Sequence, residues 1–302
     1  MKIIQPSFSI VDQDFGIDGI FRQIELAGRT CYRSEDRITE TSAKVFVERM
    51  IASGHTAMLE HGTVYLAIPM ETTLPTEANG WDKYVKNPYS KGGIVCYVNG
   101  EKRVAVTTNY RVLVENKWLD DLQFICNPTI YHARRVTVKF ICDRGVSHEF
   151  VRHRVFSFAQ ESTRYCNYTK EKHGGELTFI IPSWVDNIRE GRFDDTLGYD
   201  YAWHAIDGGD SLRCDDAGAC FMSLCNKAES SYIGLLAAGW SPQQARNVLP
   251  NAIKTTLVMT GFVEDWQHFF DLRALGTTGK PHPDASYLAI PLYNEFKKRG
   301  LL

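Results

Sequence analysis

The densest run of chemistry-bearing side chains is Glu149, Arg152, His153 and Arg154, followed closely by Gln160, Glu161, Ser162, Thr163 and Arg164. Three arginines and one histidine within thirteen residues make a local anion trap, in a chain whose 34 basic and 36 acidic side chains leave a formal net charge of -2. Arginine suits phosphate because its planar fork binds two oxygens and never deprotonates. If residues 145–154 form one helix, Arg152 and Arg154 point about 200° apart. They then serve two ligands, or one ligand and a neighbouring subunit. The competing reading is a solvated basic helix end, where cations meet the carbonyl dipole.

A second constellation is His55, Glu60 and His61, just ahead of Gly62. Its spacing is not His-Glu-x-x-His and puts no two ligands on one helical face. Only His148 and His153, brought in through space, would complete a metal site, and no metal is expected. Third, Arg246 and Arg273 stand 27 positions apart, each among apolar helix residues (ARNVLP, HFFDLRAL). Such an arginine is more often paired with a carboxylate than catalytic. There is no Gly-x-Gly-x-x-Gly, no Walker loop and no Gly-x-Ser-x-Gly elbow, so the common nucleotide folds and serine hydrolases lose support.

The elements that must position these residues alternate between helical and strand periods with no internal repeat and no regular strand-helix-strand units, which points to α+β. A helix is expected over 42–53, entered at Thr41 and closed by Gly54, and a strand over 62–70. Asn99-Gly100 between 94–98 and 103–107 signals a type I′ hairpin. Within 71–134 this hairpin reads as an elaboration of the sheet. In 135–142 Val136, Val138, Phe140 and Cys142 alternate with Arg135, Thr137, Lys139 and Ile141, as in a strand with one apolar face. The polar stretch 155–176 reads as loop. A long amphipathic helix spans 216–238 and ends at Gly239. Ser241-Pro242-Gln243-Gln244 is a capping box, which seats Arg246 in a short helix stopping at Pro250. Two last helices are expected over 261–275 and 284–298.

At 302 residues, 44% hydrophobic and 23% charged, the chain is an ordinary globular one, not disordered, collagenous or coiled-coil. Near-neutral charge argues against nonspecific nucleic-acid binding. Eight cysteines include no Cys-x-x-Cys pair, and the first residues lack a signal-peptide pattern, so buried thiols in a reducing cytoplasm are expected. No apolar run reaches the roughly 18 residues of a membrane span.

Arg152-His153-Arg154, then seven residues, then Ser162 matches the signature of the flavin-dependent thymidylate synthases, and SHEFVRHRVFSFAQESTRY resembles that family throughout. GHTAMLEHGTVYL, GWSPQQARNVLP and WQHFFDLR agree with it in order. The resemblance implies a single domain, 1–302, with a mostly antiparallel sheet flanked by helices and an insertion at about 71–134. It implies reductive methylation of dUMP to dTMP, with 5,10-methylenetetrahydrofolate as carbon donor and FAD, reduced by NADPH, as hydride carrier. It also implies a homotetramer with shared active sites. By matched position, Arg152, His153, Arg154, Thr63, Gln160, His268 and the stretch Phe262, Val263, Glu264 are expected at FAD. His61 is expected near flavin and folate.

Glu149, Arg152, Gln160, Glu161, Ser162, Thr163, Arg164 and Arg246 are expected to line the dUMP site. Arg273 is expected to activate the uracil, where a fixed guanidinium stabilises charge developing on the pyrimidine. The departures from the family are the insertion and the longer Gly/Pro-rich segment after Arg273. Two rival readings remain: a single-strand nucleic-acid binder using Arg152, Arg154 and Arg164 with Phe156, Phe158 and Tyr165 as stacking rings, and a hydrolase with a metal on His55, His61, His148 and His153. Both leave Arg246 and Arg273 unexplained.

Overall fold

A computed structural model describes residues 1–70, 80–170, 175–185, 188–193, 204–205, 212–213 and 217–302. The fold is α+β. Its central sheet holds four antiparallel strands in the order β2 (Ser7–Val11), β6 (Arg135–Asp143), β12 (Lys254–Phe262), β7 (Ser157–Gln160). The pairing of β12 with β6 sets Phe262 opposite Arg135 and Thr260 opposite Thr137. One face of β6 carries Val136, Val138, Phe140 and Cys142, as the alternation predicts. They pack with Phe150, Phe156, Trp266, Phe269, Phe270 and Phe296 into an aromatic core under α8 (Val263–Arg273) and α9 (Pro283–Lys298). Each fully buried ring contributes roughly 1.5–3 kcal/mol. Gly261 is required there, since a Cβ at that position would lie 2.5 Å from the Phe156 ring.

A second sheet, β3 (Thr63–Pro69), β5 (Glu101–Asn109) and β4 (Lys91–Val98), holds the inserted segment. Asn99 and Gly100 turn with φ of 52° and 83°, the left-handed pair that the hairpin signal requires. The inserted hairpin elaborates the sheet of β3, as expected, and this sheet is separate from the central one. Its apolar face buries Val64, Leu66, Val104 and Val106 against α1 (Gly16–Tyr32), α2 (Ser42–Ala52) and α4 (Tyr110–Asn116). The helical turn α3 (Asp82–Val85) adds Tyr84.

A third sheet joins β1 (Lys2–Ile4) in parallel to β8 (Thr178–Ile180) and antiparallel to β9 (Gly191–Arg192). With α6 (Ala217–Ala237) and α7 (Pro242–Ala245) it closes a third core around Phe179 and Tyr232. The short strands β10 (His204–Ala205) and β11 (Leu212–Arg213) pair with each other.

Two expectations fail locally. The helix α5 (Arg144–Phe150) ends at Phe150, so Arg152 and Arg154 sit on turns and the 200° helical argument lapses. The segment read as loop contains β7, whose Phe158 and Ala159 add an edge to β12. A four-residue strand inside a polar stretch carries too little periodicity to be read.

Candidate active site

Three elements converge on Arg273, the last residue of α8. Its Nη1 donates to Glu149 Oε2 at 2.6 Å, Nη2 to the Glu149 carbonyl at 3.1 Å, and Nε to His153 Nε2 at 3.2 Å. That last bond needs a neutral imidazole. Burial, then the charges of Arg273 and His268, pull His153 down to about 4, so its Nε2 lone pair stays open near neutrality. Tight clustering holds the ring, with Phe269 at 5.1 Å and His268 at 6.0 Å. The guanidinium and Glu149 border an open cleft of about 790 Å³ walled by residues 278–283. A second cavity, of about 600 Å³, also reaches Glu149.

Beside this triad, Gln160 on β7 donates to Ser147 Oγ at 2.8 Å and to Thr255 Oγ1 at 3.3 Å. Arg246 Nη1 donates to the buried Thr163 Oγ1 at 3.3 Å. Ser162 is fixed through its amide, which donates to the Cys31 carbonyl. Arg152, Arg154 and Arg164 are exposed; among the described residues Arg152 and Arg154 have no side-chain partner, and Arg164 lies over the Tyr165 ring. Glu161 is different. It is buried, takes Lys254 Nζ at 2.6 Å and Thr256 Oγ1 at 3.2 Å, and so serves the interior.

A second group gathers at the other end of α8, about 16 Å away at 1.5 Å per residue. Phe262 begins the helix, its amide capped by Asp265 Oδ2. Lys91 of the inserted hairpin lies 4.7 Å over the Phe262 ring and pairs with the exposed Glu264. Thr63 exchanges two 2.8 Å bonds with the Gln13 side chain. His61 is fully buried, and its Nδ1 meets Thr260 Oγ1 at 2.8 Å while Nε2 has no partner. Burial and then the Arg135 charge pull it down to about 3. Neither His61 nor Thr63 faces open solvent.

The sequence reading missed Arg135, the residue that links these side chains. Its Nη1 donates to the Glu60 carbonyl at 3.0 Å and to Thr63 Oγ1 at 3.3 Å, and its guanidinium lies 5.5 Å over Phe262. Nothing in the alternation of β6 separates it from Lys139. The signal is its register opposite Phe262, which only the paired strands reveal.

The Thy1 family, described as thymidylate synthase complementing protein, matches residues 98–299. The chain belongs to this family, that of the flavin-dependent thymidylate synthases. Membership makes it an enzyme of the flavin-dependent, methyl-transferring type. The flavin-dependent thymidylate synthase of Corynebacterium glutamicum is 23% identical over 270 residues, covering 87% of this chain and 71% of that protein. That of Corynebacterium efficiens is 29% identical over 212 residues, covering 68% and 72%. A UMP/dUMP methylase, PolB from Streptomyces cacaoi bound with 5-Br dUMP, aligns over 99% of this chain and 93% of that one at 15% identity, with a TM-score of 0.44. That likeness is too loose to argue from.

Among the described residues no group of His, Cys, Asp and Glu could hold a metal ion, and no helix is long and apolar enough to cross a membrane. The seven described cysteines are free, while Cys214 lies outside the described residues. Burial pushes the Cys166 thiol up to about 12, which removes the thiolate a nucleophile needs.

Proposed function

We propose that the protein methylates dUMP to dTMP, with 5,10-methylenetetrahydrofolate as the carbon donor and FAD, reduced by NADPH, as the hydride carrier. The observation that carries this reading is the Arg273 guanidinium, immobilised by Glu149 and His153 at the mouth of a cleft. Making uracil C5 nucleophilic places negative charge on N3 and the carbonyl oxygens of the ring. A guanidinium already fixed beside that ring stabilises the charge without reorganising. Glu149 and His153 hold its plane. Arg246, Thr163, Ser162 and Arg164 take the nucleotide phosphate and sugar, with Gln160 alongside.

The residues present fit a flavin dinucleotide, as judged from the guanidinium of Arg135, which lacks a carboxylate, and from the unpaired Nε2 of His61. Thr63 and the stretch Phe262, Val263, Glu264 would hold it at the end of α8 remote from Arg273, and Arg152, Arg154 and His268 at the end beside His153. When bound, FAD supplies the hydride that completes the methyl group. The separation along α8 supports a site shared between subunits, in which one chain's Arg273 works beside another chain's Thr63 and Phe262. The chain is read as one domain, 1–302, in a homotetramer.

Purified protein supplied with FAD, NADPH, methylenetetrahydrofolate and dUMP should release dTMP and carry flavin absorption bands that shift on adding dUMP. Absence of both, with the protein folded, would remove the proposal. Light scattering should give the mass of four chains of 34.3 kDa each.

A further inference from the structure

Arg135 is a cation without a counter-ion. It stands at the start of β6, half-buried, with its Nε enclosed and lacking any partner. The two carboxylates whose charge reaches it are engaged elsewhere: Glu60 takes Arg111 Nη1 at 2.5 Å and Asp265 caps the Phe262 amide. Burial pulls its own guanidinium down to about 10. Taking a charge from water without a partner is costly, and proteins keep such a group where a ligand completes it.

The surroundings point to the same vacancy of charge. Arg135 borders a cavity of about 270 Å³ together with Arg134, Thr63, Gln13, Asp12 and Asp14. Each aspartate has a cation beside it, Asp12 the Arg299 it shares with Glu295, at 3.1 Å, and Asp14 the Arg22 at 2.9 Å. Lys91, the other cation over Phe262, is neutralised by Glu264. Among the described residues Arg134 and Arg135 are the cations of this lining that no carboxylate pairs, and the Thr63 hydroxyl, also in the lining, accepts from Arg135 at 3.3 Å. A fork with spare donors, an adjacent cation and a hydroxyl make the chemistry of a phosphate site.

We infer that Arg135 anchors a phosphate of the dinucleotide cofactor, a role that rests on the flavin reading above and adds to the arginines of the sequence motif. The inserted segment thereby takes part in the cofactor site, because the strand that returns from it opens with this residue. Lys91, seated on Phe262 from the same segment, holds the ring beside the guanidinium.

The test is binding to flavin-stripped protein, followed by quenching of flavin fluorescence. Arg135→Gln should weaken FAD at least ten-fold and leave riboflavin, which has no phosphate, unchanged. Arg135→Lys, which keeps the charge, should recover most of the affinity. Circular dichroism of each variant checks folding. Equal FAD affinity in wild type and Arg135→Gln, equal losses of FAD and riboflavin, or a lysine variant as weak as glutamine would each overturn the inference. Inorganic pyrophosphate separates it from the flavin reading. Thermal stabilisation of the wild type by pyrophosphate, absent in Arg135→Gln, would uphold the anion site even if FAD failed to bind. A wild type that holds neither overturns both.

Discussion

Arg273 and Glu149, 124 positions apart, meet twice: the carboxylate at 2.6 Å and the backbone carbonyl at 3.1 Å both accept from one guanidinium. Two contacts from one residue fix the plane of the fork as well as its position. A flat, oriented donor is what a pyrimidine edge requires, and a lysine cannot reproduce it.

Replacing Arg273 with alanine should lower kcat/KM for dTMP formation by about 10²–10³, with flavin retained. Arg273→Lys should recover little of that loss, since one ammonium cannot meet Glu149 and His153 in the same plane. Steady-state kinetics beside a flavin absorption spectrum reads both. Full activity in the alanine variant would remove Arg273 from the chemistry.

The buried histidines set an acid limit. His153 is held down to about 4 and His61 to about 3, against about 6.5 in an unfolded chain. Below 6.5 the unfolded state takes up protons that the folded state refuses, so stability falls with pH through that window. The fall levels off only near the folded values. Each histidine contributes up to about 1.4 kcal/mol per pH unit there. Melting temperature measured from pH 7.5 to 4.5 should fall less steeply in His61→Asn than in the wild type. Parallel curves would contradict this.

Much of this architecture is legible in the sequence. The alternation over 135–142 gives β6, Asn99-Gly100 gives the hairpin turn, and Ser241 with Gln244 closes the capping box in space as in sequence. The long helix ends at Gly239 with φ of 90°. The central strand β12 stayed hidden because KTTLVMTGF is flanked by strands on both sides and lacks alternation. The partnerships of the site were equally hidden. His61 reads as a residue near flavin and folate, and nothing in the motif shows that Thr260, 199 positions away, meets its Nδ1 in the interior. Glu161 lies inside the most informative motif and pairs with Lys254. Contacts over such separations are set by strand register, which local pattern does not encode.

Lys254 and Glu161 form a buried ion pair whose second carboxylate oxygen lies 3.8 Å from Arg33. Removing one member leaves a charge without its partner, so Lys254→Ala should cost about 3 kcal/mol. The double variant Lys254→Met with Glu161→Leu should cost less than Lys254→Ala alone. Urea denaturation in a double-mutant cycle gives the coupling directly; additive losses would show the pair to be independent.

Gly261→Ala should destabilise by about 1–3 kcal/mol through overpacking against Phe156, and Phe156→Leu should relieve part of that loss. If the alanine variant melts with the wild type, strand β12 has room that the 2.5 Å approach denies.

The strand leading into the insertion opens at Thr63 and the strand leaving it opens at Arg135, and those two side chains touch at 3.3 Å. The segment thus enters and leaves through one doorway, where the Arg135 amide also meets the Tyr65 hydroxyl. The order β2-β6-β12-β7 is left intact, because β3 takes its neighbour, β5, from inside the segment. The same doorway makes the graft hard to remove cleanly. Its core is cemented to α1 and α2, and the residue on its threshold is the one left carrying an unanswered charge.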